Sequence, residues 1–194
     1  MGNIIVIDTE TVTGTYGLIL IGAVILEKDG KRLSELENYF GFSDEFDYGF
    51  YFAQQNDYAK RNNITRKPRN EIETELSALI RRYEINIAFA YNAGFDRTVI
   101  QSYLPKLQFN WFDLMKPARK VLASEEHYPA YKRFHPHVEL TRNGLLKRGY
   151  GVDCVSRYLG LPHETHVAIE DAQMETEIAI HLGLFEIASV CKLK

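Results

Sequence analysis

Apolar positions along the chain fall into two regimes. Short runs without a helical period come first, and stretches with a three-to-four-residue period dominate later. Ile4-Ile5-Val6-Ile7 is mostly β-branched and too short for a helix, so it predicts a buried strand. Leu18 to Leu26 predicts a second, central strand, followed by the tight-turn signal Lys28-Asp29-Gly30-Lys31. Leu33, Leu36, Tyr39 and Phe40 predict a third strand, so the sheet opens as an antiparallel meander. After Pro68, the residues Ile72, Leu76, Leu79, Ile80 and Tyr83 recur at helical spacing, with Arg81-Arg82 in the last turn, where cations suit the helix dipole. Ile87 to Tyr91 predicts another buried strand, and Val99, Ile100, Tyr103 and Leu104 a helix face closed by Pro105. Phe109 to Phe112 gives a short strand ending at Asp113, and Met115 to Leu122 a helix. Gly151 precedes a short helix marked by Val152, Val155, Tyr158 and Leu159 and stopped by Gly160. Ile169, Ala172, Ile178, Ala179 and Leu182 mark the last long helix. A meander followed by alternating strands and helices predicts an α/β fold, a sheet of mixed strand direction flanked by helices.

Two segments escape the pattern. Phe40 to Tyr58 is crowded with aromatics, which suit either a base-stacking surface or a flap pinned by its own rings; the second reading is favoured. His127 to His137, with Pro129 and Pro136, predicts an irregular insertion. Its histidines, His127, His135 and His137, raise a zinc reading, but no cysteine joins them and a surface loop is the better account.

Composition narrows the classes. The 194 residues predict one domain over the whole of 1–194. Apolar content of 45% and charged content of 25% are those of an ordinary globular protein. The longest apolar stretch is too short to span a bilayer, and no basic region precedes the first apolar run, so neither a membrane span nor a secretory leader is expected. Cys154 and Cys191 lack ligand-like spacing and predict buried thiols in a reducing, cytoplasmic setting. A net charge of −3 is unlike that of proteins that grip long duplexes by backbone charge. It leaves room for a short single-stranded segment or a strand end.

The candidate chemistry lies in the acids. The first strand runs directly into Asp8-Thr9-Glu10-Thr11, and carboxylates at i and i+2 of an extended chain leave the same face. At the carboxyl edge of a sheet, where α/β folds place ligands, two such groups repel unless a cation lies between them. Asp96 follows a strand and the compact Asn92-Ala93-Gly94 segment, at the start of a helix. Asp171 lies in the first turns of the last helix, five residues after His166. Residues five apart on a regular helix point roughly 140° apart, so a shared site requires His166 to precede the helix, with Thr165 as its N-cap. Four carboxylates without cysteine make a hard-oxygen site for Mg²⁺ or Mn²⁺. Two such ions about 4 Å apart suit phosphoryl transfer, with a nearby histidine to deprotonate water.

Ile-Asp-Thr-Glu-Thr at 7–11, Ile-Gly-Ala-Val at 21–24, Tyr-Asn-Ala-Gly-Phe-Asp at 91–96 and His-Val-Ala-Ile-Glu-Asp-Ala at 166–172 together resemble the DEDDh 3′–5′ exonucleases. That family includes the proofreading subunit of the bacterial replicative polymerase, ribonuclease T and oligoribonuclease. The resemblance implies a ribonuclease H-like fold and removal of nucleoside 5′-monophosphates from the 3′ end of DNA or RNA, using two Mg²⁺ or Mn²⁺ ions. It implies Asp8, Glu10, Asp96 and Asp171 as metal carboxylates, His166 as general base, and Thr11, Asn92 and Phe95 as contacts to the terminal nucleotide. Two departures, Tyr91 where many members carry histidine and the poorly matching stretches 40–68 and 127–137, bear on substrate choice. The sequence leaves open a homodimer, a polymerase or another protein as partner. Two rivals remain at this stage: a haloacid-dehalogenase-type phosphatase, to which Glu10 fits poorly, and a catalytically silent binding module of the same fold.

Overall fold

The computed structural model describes residues 3–11, 18–27, 38–41, 57–63 and 67–188. In chain order these include β1 (Ile4–Thr11), β2 (Leu18–Leu26), β3 (Asn38–Gly41), α1 (Arg69–Arg82), β4 (Ile87–Ala90), α2 (Gly94–Tyr103), β5 (Asn110–Asp113), α3 (Met115–Val121), α4 (Tyr128–Phe134), α5 (Val152–Leu159), α6 (Ala168–His181) and α7 (Leu184–Ala188). One five-stranded sheet has the order β3-β2-β1-β4-β5. β1 pairs antiparallel with β2, and β2 with β3; β1 with β4 and β4 with β5 are parallel. This is the mixed, ribonuclease H-like α/β arrangement that the sequence predicts.

The period-2 pleat divides the core into two. Ile4 and Val6 of β1, Val24 and Leu26 of β2, and Phe89 of β4 face one side, where they meet Ile169, Ala172 and Ile178 of α6. Ile5, Ile7, Ile21, Ala23, Ile25 and Ala88 face the other, against Ile72 and Leu76 of α1 and Val99 and Ile100 of α2. The middle of the sheet is therefore apolar on both faces, as the unbroken apolar run of β1 requires.

Both acids lie on β1 itself, as the extended-chain reading requires: the strand continues through Thr11, with a register irregularity between Glu10 and Thr11. Two expectations need correction. His127 to His137 is not irregular: it contains α4, with proline in its first turn, where a missing N–H costs nothing. Its anchor is Tyr131, which is fully buried and donates its hydroxyl to the Gly149 carbonyl. His135 Nε2 lies 3.0 Å from the Cys154 carbonyl, and among the described residues these histidines form no metal-capable group. Cys154, in turn, is half-buried rather than buried. Cys191 and most of the aromatic stretch 40–58 lie outside the described residues. Among the described residues, no helix is long and apolar enough to cross a membrane.

Helix α6 is the element that lies closest to the sheet. Gly22 of β2 faces it, and a Cβ at Gly22 would stand only 2.0 Å from the Ala168 carbonyl oxygen and 2.3 Å from the Ile169 nitrogen. Both are backbone atoms, which cannot rotate away. Gly22→Ala should therefore lower stability by about 1–3 kcal/mol, as overpacking does, by lifting the first turn of α6. A denaturation midpoint equal to that of the unsubstituted protein would contradict this contact.

Candidate metal and active site

The pleat that sorts the core also sorts the acids. Asp8 and Glu10 continue the even-numbered face of β1, toward α6. Thr9 points to the opposite face, toward α2. Asp8 is the register partner of Gly22, so the start of α6 comes down beside it. Asp171 in the first turn of that helix is thereby delivered to the end of β1.

Asp96 reaches the same strand end from the other side. It lies in the first turn of α2 and is 3% exposed. Thr9 fixes it with two donors to one oxygen: its amide at 3.0 Å and its hydroxyl at 2.8 Å from Asp96 Oδ1. The helix makes no side-chain cap of its own, so this carboxylate is committed to the strand end.

The loop before α6 differs from expectation. Its N-cap is Val167, not Thr165. Thr165 instead gives its amide to Asp171 Oδ1 at 2.9 Å, a charge-assisted bond that holds the carboxylate back toward the loop. His166 precedes the helix, as the site requires, in a left-handed conformation with φ of 55°. For a residue with a Cβ this is a strained backbone held by its surroundings. Its Nδ1 lies 3.8 Å from Glu10 Oε1 and 3.9 Å from Glu164 Oε1. Glu10, His166 and Asp171 each offer a ligand atom, all within 4.8 Å of one another.

The electrostatics follow from this crowding. Burial, then the charges of Glu175, Asp96, Glu10 and Asp171, push the Asp8 carboxyl well above its ordinary range. Burial likewise raises Asp96 to about 7, with the bonds from Thr9 opposing the rise. Asp171 rises to about 6, again through burial, opposed by the Thr165 amide. Among the described residues, two buried oxygens, Asp8 Oδ2 and Asp171 Oδ2, have no hydrogen-bond partner. Buried polar oxygens ordinarily find one. Orphaned oxygens in an all-carboxylate set fit a hard divalent cation such as Mg²⁺ or Mn²⁺.

The remaining predicted residues line the rim. Asn92 is exposed at a φ of 69°, a conformation that asparagine tolerates better than most residues. Phe95 is 41% exposed, directly beside buried Asp96. Thr11 is half-buried at the strand end, past the irregularity. Tyr91 is not a rim residue: it is 8% exposed, and its hydroxyl donates to the Tyr150 carbonyl at 2.7 Å. Two further residues of the site carry no motif signal strong enough to single them out. Thr9 is visible only as the partner of Asp96, and Glu175 only as an acid on the apolar stripe of α6.

No family profile matches the chain, and no curated protein does. Solved structures do match. Exonuclease I of E. coli in complex with an oligonucleotide superposes with a TM-score of 0.63 at 13% identity, covering 96% of this chain and 42% of its own. The nuclease domain of 3′hExo, a DEDDh member bound to rAMP, gives a TM-score of 0.58 at 12% identity over 100% of this chain and 95% of its own. Exonuclease X in complex with 5′ overhanging duplex DNA gives 0.52 at 18% identity over 96% and 98%. The fold is that of these exonucleases. The fold that the sequence resemblance implies is thus borne out in three dimensions, and the chain spans less than half of exonuclease I.

Raised carboxyl pKa values have a definite sign. Asp96 and Asp171 hold protons more tightly folded, near 7 and 6, than at their ordinary 3.8. Their contribution to stability is full below the ordinary value and is lost as pH rises through the folded values. The melting temperature of metal-free protein should fall between about pH 4 and 7, and Mg²⁺ or Mn²⁺ should restore it. Asp8→Asn should flatten the fall and raise melting at the alkaline end by removing one of the repelling charges. Thermal melts in EDTA check this; a large loss of melting temperature in metal-free Asp8→Asn would mark Asp8 as structural instead.

Proposed function

We propose that this chain is a metal-dependent 3′–5′ exonuclease that hydrolyses the terminal phosphodiester bond of DNA or RNA and releases nucleoside 5′-monophosphates. The observation that carries this reading is the meeting of Asp8, Glu10, Asp96 and Asp171, from three separate elements, at one end of β1. Their mutual charge is felt most at Asp8. A binding module of the same fold gains nothing from burying carboxylates that repel one another. The phosphatase alternative gives no role to acids arriving from α2 and α6.

Asp8, Glu10, Asp96 and Asp171 would hold two Mg²⁺ or Mn²⁺ ions, whose charge offsets that of the phosphodiester and stabilises the attacking and leaving oxygens. The protein's own groups do the rest. Thr9 and the Thr165 amide fix the aim of Asp96 and Asp171 before substrate arrives, so little reorganisation is needed during the reaction. With Nδ1 of His166 turned toward Glu10 and Glu164, Nε2 is the nitrogen that takes a proton from the attacking water. Phe95 offers a ring face to the terminal base, and Thr11 and Asn92 polar contacts to the terminal nucleotide. The oligonucleotide and rAMP in the similar structures belong to those proteins, and support nucleic acid as the substrate class here.

Time courses on 3′- and 5′-labelled DNA and RNA oligonucleotides test the reading. Shortening should proceed from the 3′ end and stop in excess EDTA; internal cuts, or full activity in EDTA, overturn it. The residue roles separate in two variants. His166→Ala should lower turnover by roughly 10²–10⁴-fold, as loss of a general base does, with Mn²⁺ affinity kept. Asp171→Ala should lose both. Isothermal titration of Mn²⁺ into each variant decides, and equal loss of metal in the two would remove His166 from the role of base.

A further inference from the structure

Glu175 stands one turn beyond Asp171 on α6 and is 4% exposed. Its neighbours on the buried stripe include Ala172, Ile178 and Ala179, also shut off from solvent. An apolar side chain is the ordinary occupant of such a position. A carboxyl there carries a desolvation cost unless a hydrogen bond offsets it, and here it also sits among other acids.

The bond it makes is specific. Glu175 Oε2 accepts the backbone amide of Tyr91 at 2.9 Å. Tyr91 lies just past the point where both ladders of β4 end: pairing with β1 stops at Phe89 and pairing with β5 at Ala90. A buried amide beyond the ladder needs an acceptor from elsewhere. Immediately after it, Asn92 turns the chain into α2, with the Phe95 amide donating to the Asn92 carbonyl at 3.0 Å. The Tyr91 amide is thus a fixed backbone donor directly before the turn that leads to Asp96. On α6, residues four apart share a face, so Glu175 and Asp171 turn the same way.

We propose that Glu175 is a positioning residue of the metal site. By accepting the Tyr91 amide, it fixes α6, which carries Asp171, against the β4–α2 turn, which carries Asp96. This inference rests on the reading of those carboxylates as metal ligands. It assigns to Glu175 the acceptor role rather than a charge: a neutral acceptor of the same length serves, and an apolar group of similar size does not.

The test compares Glu175→Gln with Glu175→Leu. Glutamine keeps a carbonyl that can take the Tyr91 amide; leucine fills the volume and takes nothing. Isothermal titration of Mn²⁺ should show the glutamine variant within about threefold of the unsubstituted protein and the leucine variant at least about tenfold weaker, as for loss of a group that orients metal ligands. Hydrogen exchange at the Tyr91 amide should quicken in the leucine variant and not in the glutamine variant, with the Phe89 amide inside the ladder as reference. Should Glu175→Leu not fold, Glu175→Thr, too short to reach the amide, takes its place with the same expectations. Mn²⁺ affinity equal to that of the unsubstituted protein in the leucine or threonine variant overturns the inference. So do equal losses in the glutamine and apolar variants, or an unchanged Tyr91 exchange rate. Absence of Mn²⁺ binding by the unsubstituted protein would instead overturn the metal reading itself.

Discussion

The backbone of α6 lies on β2 at Gly22 with no space for a side chain between them, and the geometry of the site follows from that contact. Gly22 is opposite Asp8 in the β1–β2 register. The start of the helix is therefore set beside the strand acid, and Asp171 in its first turn has one place to go. The pleat of β1 does the remaining sorting, sending Asp8 and Glu10 to the α6 side and Thr9 to the α2 side. Two helices on opposite faces of the sheet thereby bring their first turns to a single strand end. Helix N-termini carry partial positive charge, which favours Asp96 and Asp171 at those positions and offsets part of the repulsion.

The offset is incomplete, and this links structure to chemistry. Asp8, Asp96 and Asp171 are all held above their ordinary pKa, with burial the first cause in each case. Folding brings the carboxylates together at a cost that hydrogen bonds from Thr9 and Thr165 reduce but do not remove. A cation binding the folded arrangement returns that cost as binding free energy, so metal affinity and folding stability are coupled. Strain at His166 is of the same kind. A left-handed backbone at a non-glycine residue persists only where neighbours over-determine it, and here the Thr165 amide bond to Asp171 anchors the preceding residue.

Much of this is legible in the sequence, for identifiable reasons. The antiparallel opening of the sheet follows from the apolar runs of its first strands, which are local signals; the predicted turn at Asp29-Gly30 lies outside the described residues. The acids are legible because each stands at the end of a recognisable strand or the start of a recognisable helix. What fails is contextual. Helix α4 hides behind two prolines and three histidines, and its anchor is the burial of Tyr131, a tertiary fact. Thr165 has the composition of an N-cap, yet the cap is Val167: the Thr165 hydroxyl accepts the Val167 amide at 3.3 Å, and its own amide serves Asp171. Glu175 escapes because an acid on a helix is ordinarily a solvated one.

Tyr91 shows how a departure from a family pattern acquires a physical meaning. The sequence resemblance assigns it to substrate choice, since many members of that family carry histidine there. In the structure its ring faces the core, its hydroxyl holds the Tyr150 carbonyl and its amide is held by Glu175. Arg119 then lies 4.9 Å over the Tyr150 ring and donates to the Leu146 carbonyl at 2.5 Å. Tyr91 therefore joins the end of β4 to the segment 146–150 on one side and to α6 on the other. A side chain so enclosed cannot select a nucleotide by touching it. Its influence on the site is through the backbone it fixes: the exposed Asn92 and Phe95 follow it directly, and their placement depends on where Tyr91 is held. On the proposed reading, substrate choice at this rim would fall to Asn92 and Phe95, which follow the buried tyrosine, rather than to the tyrosine itself.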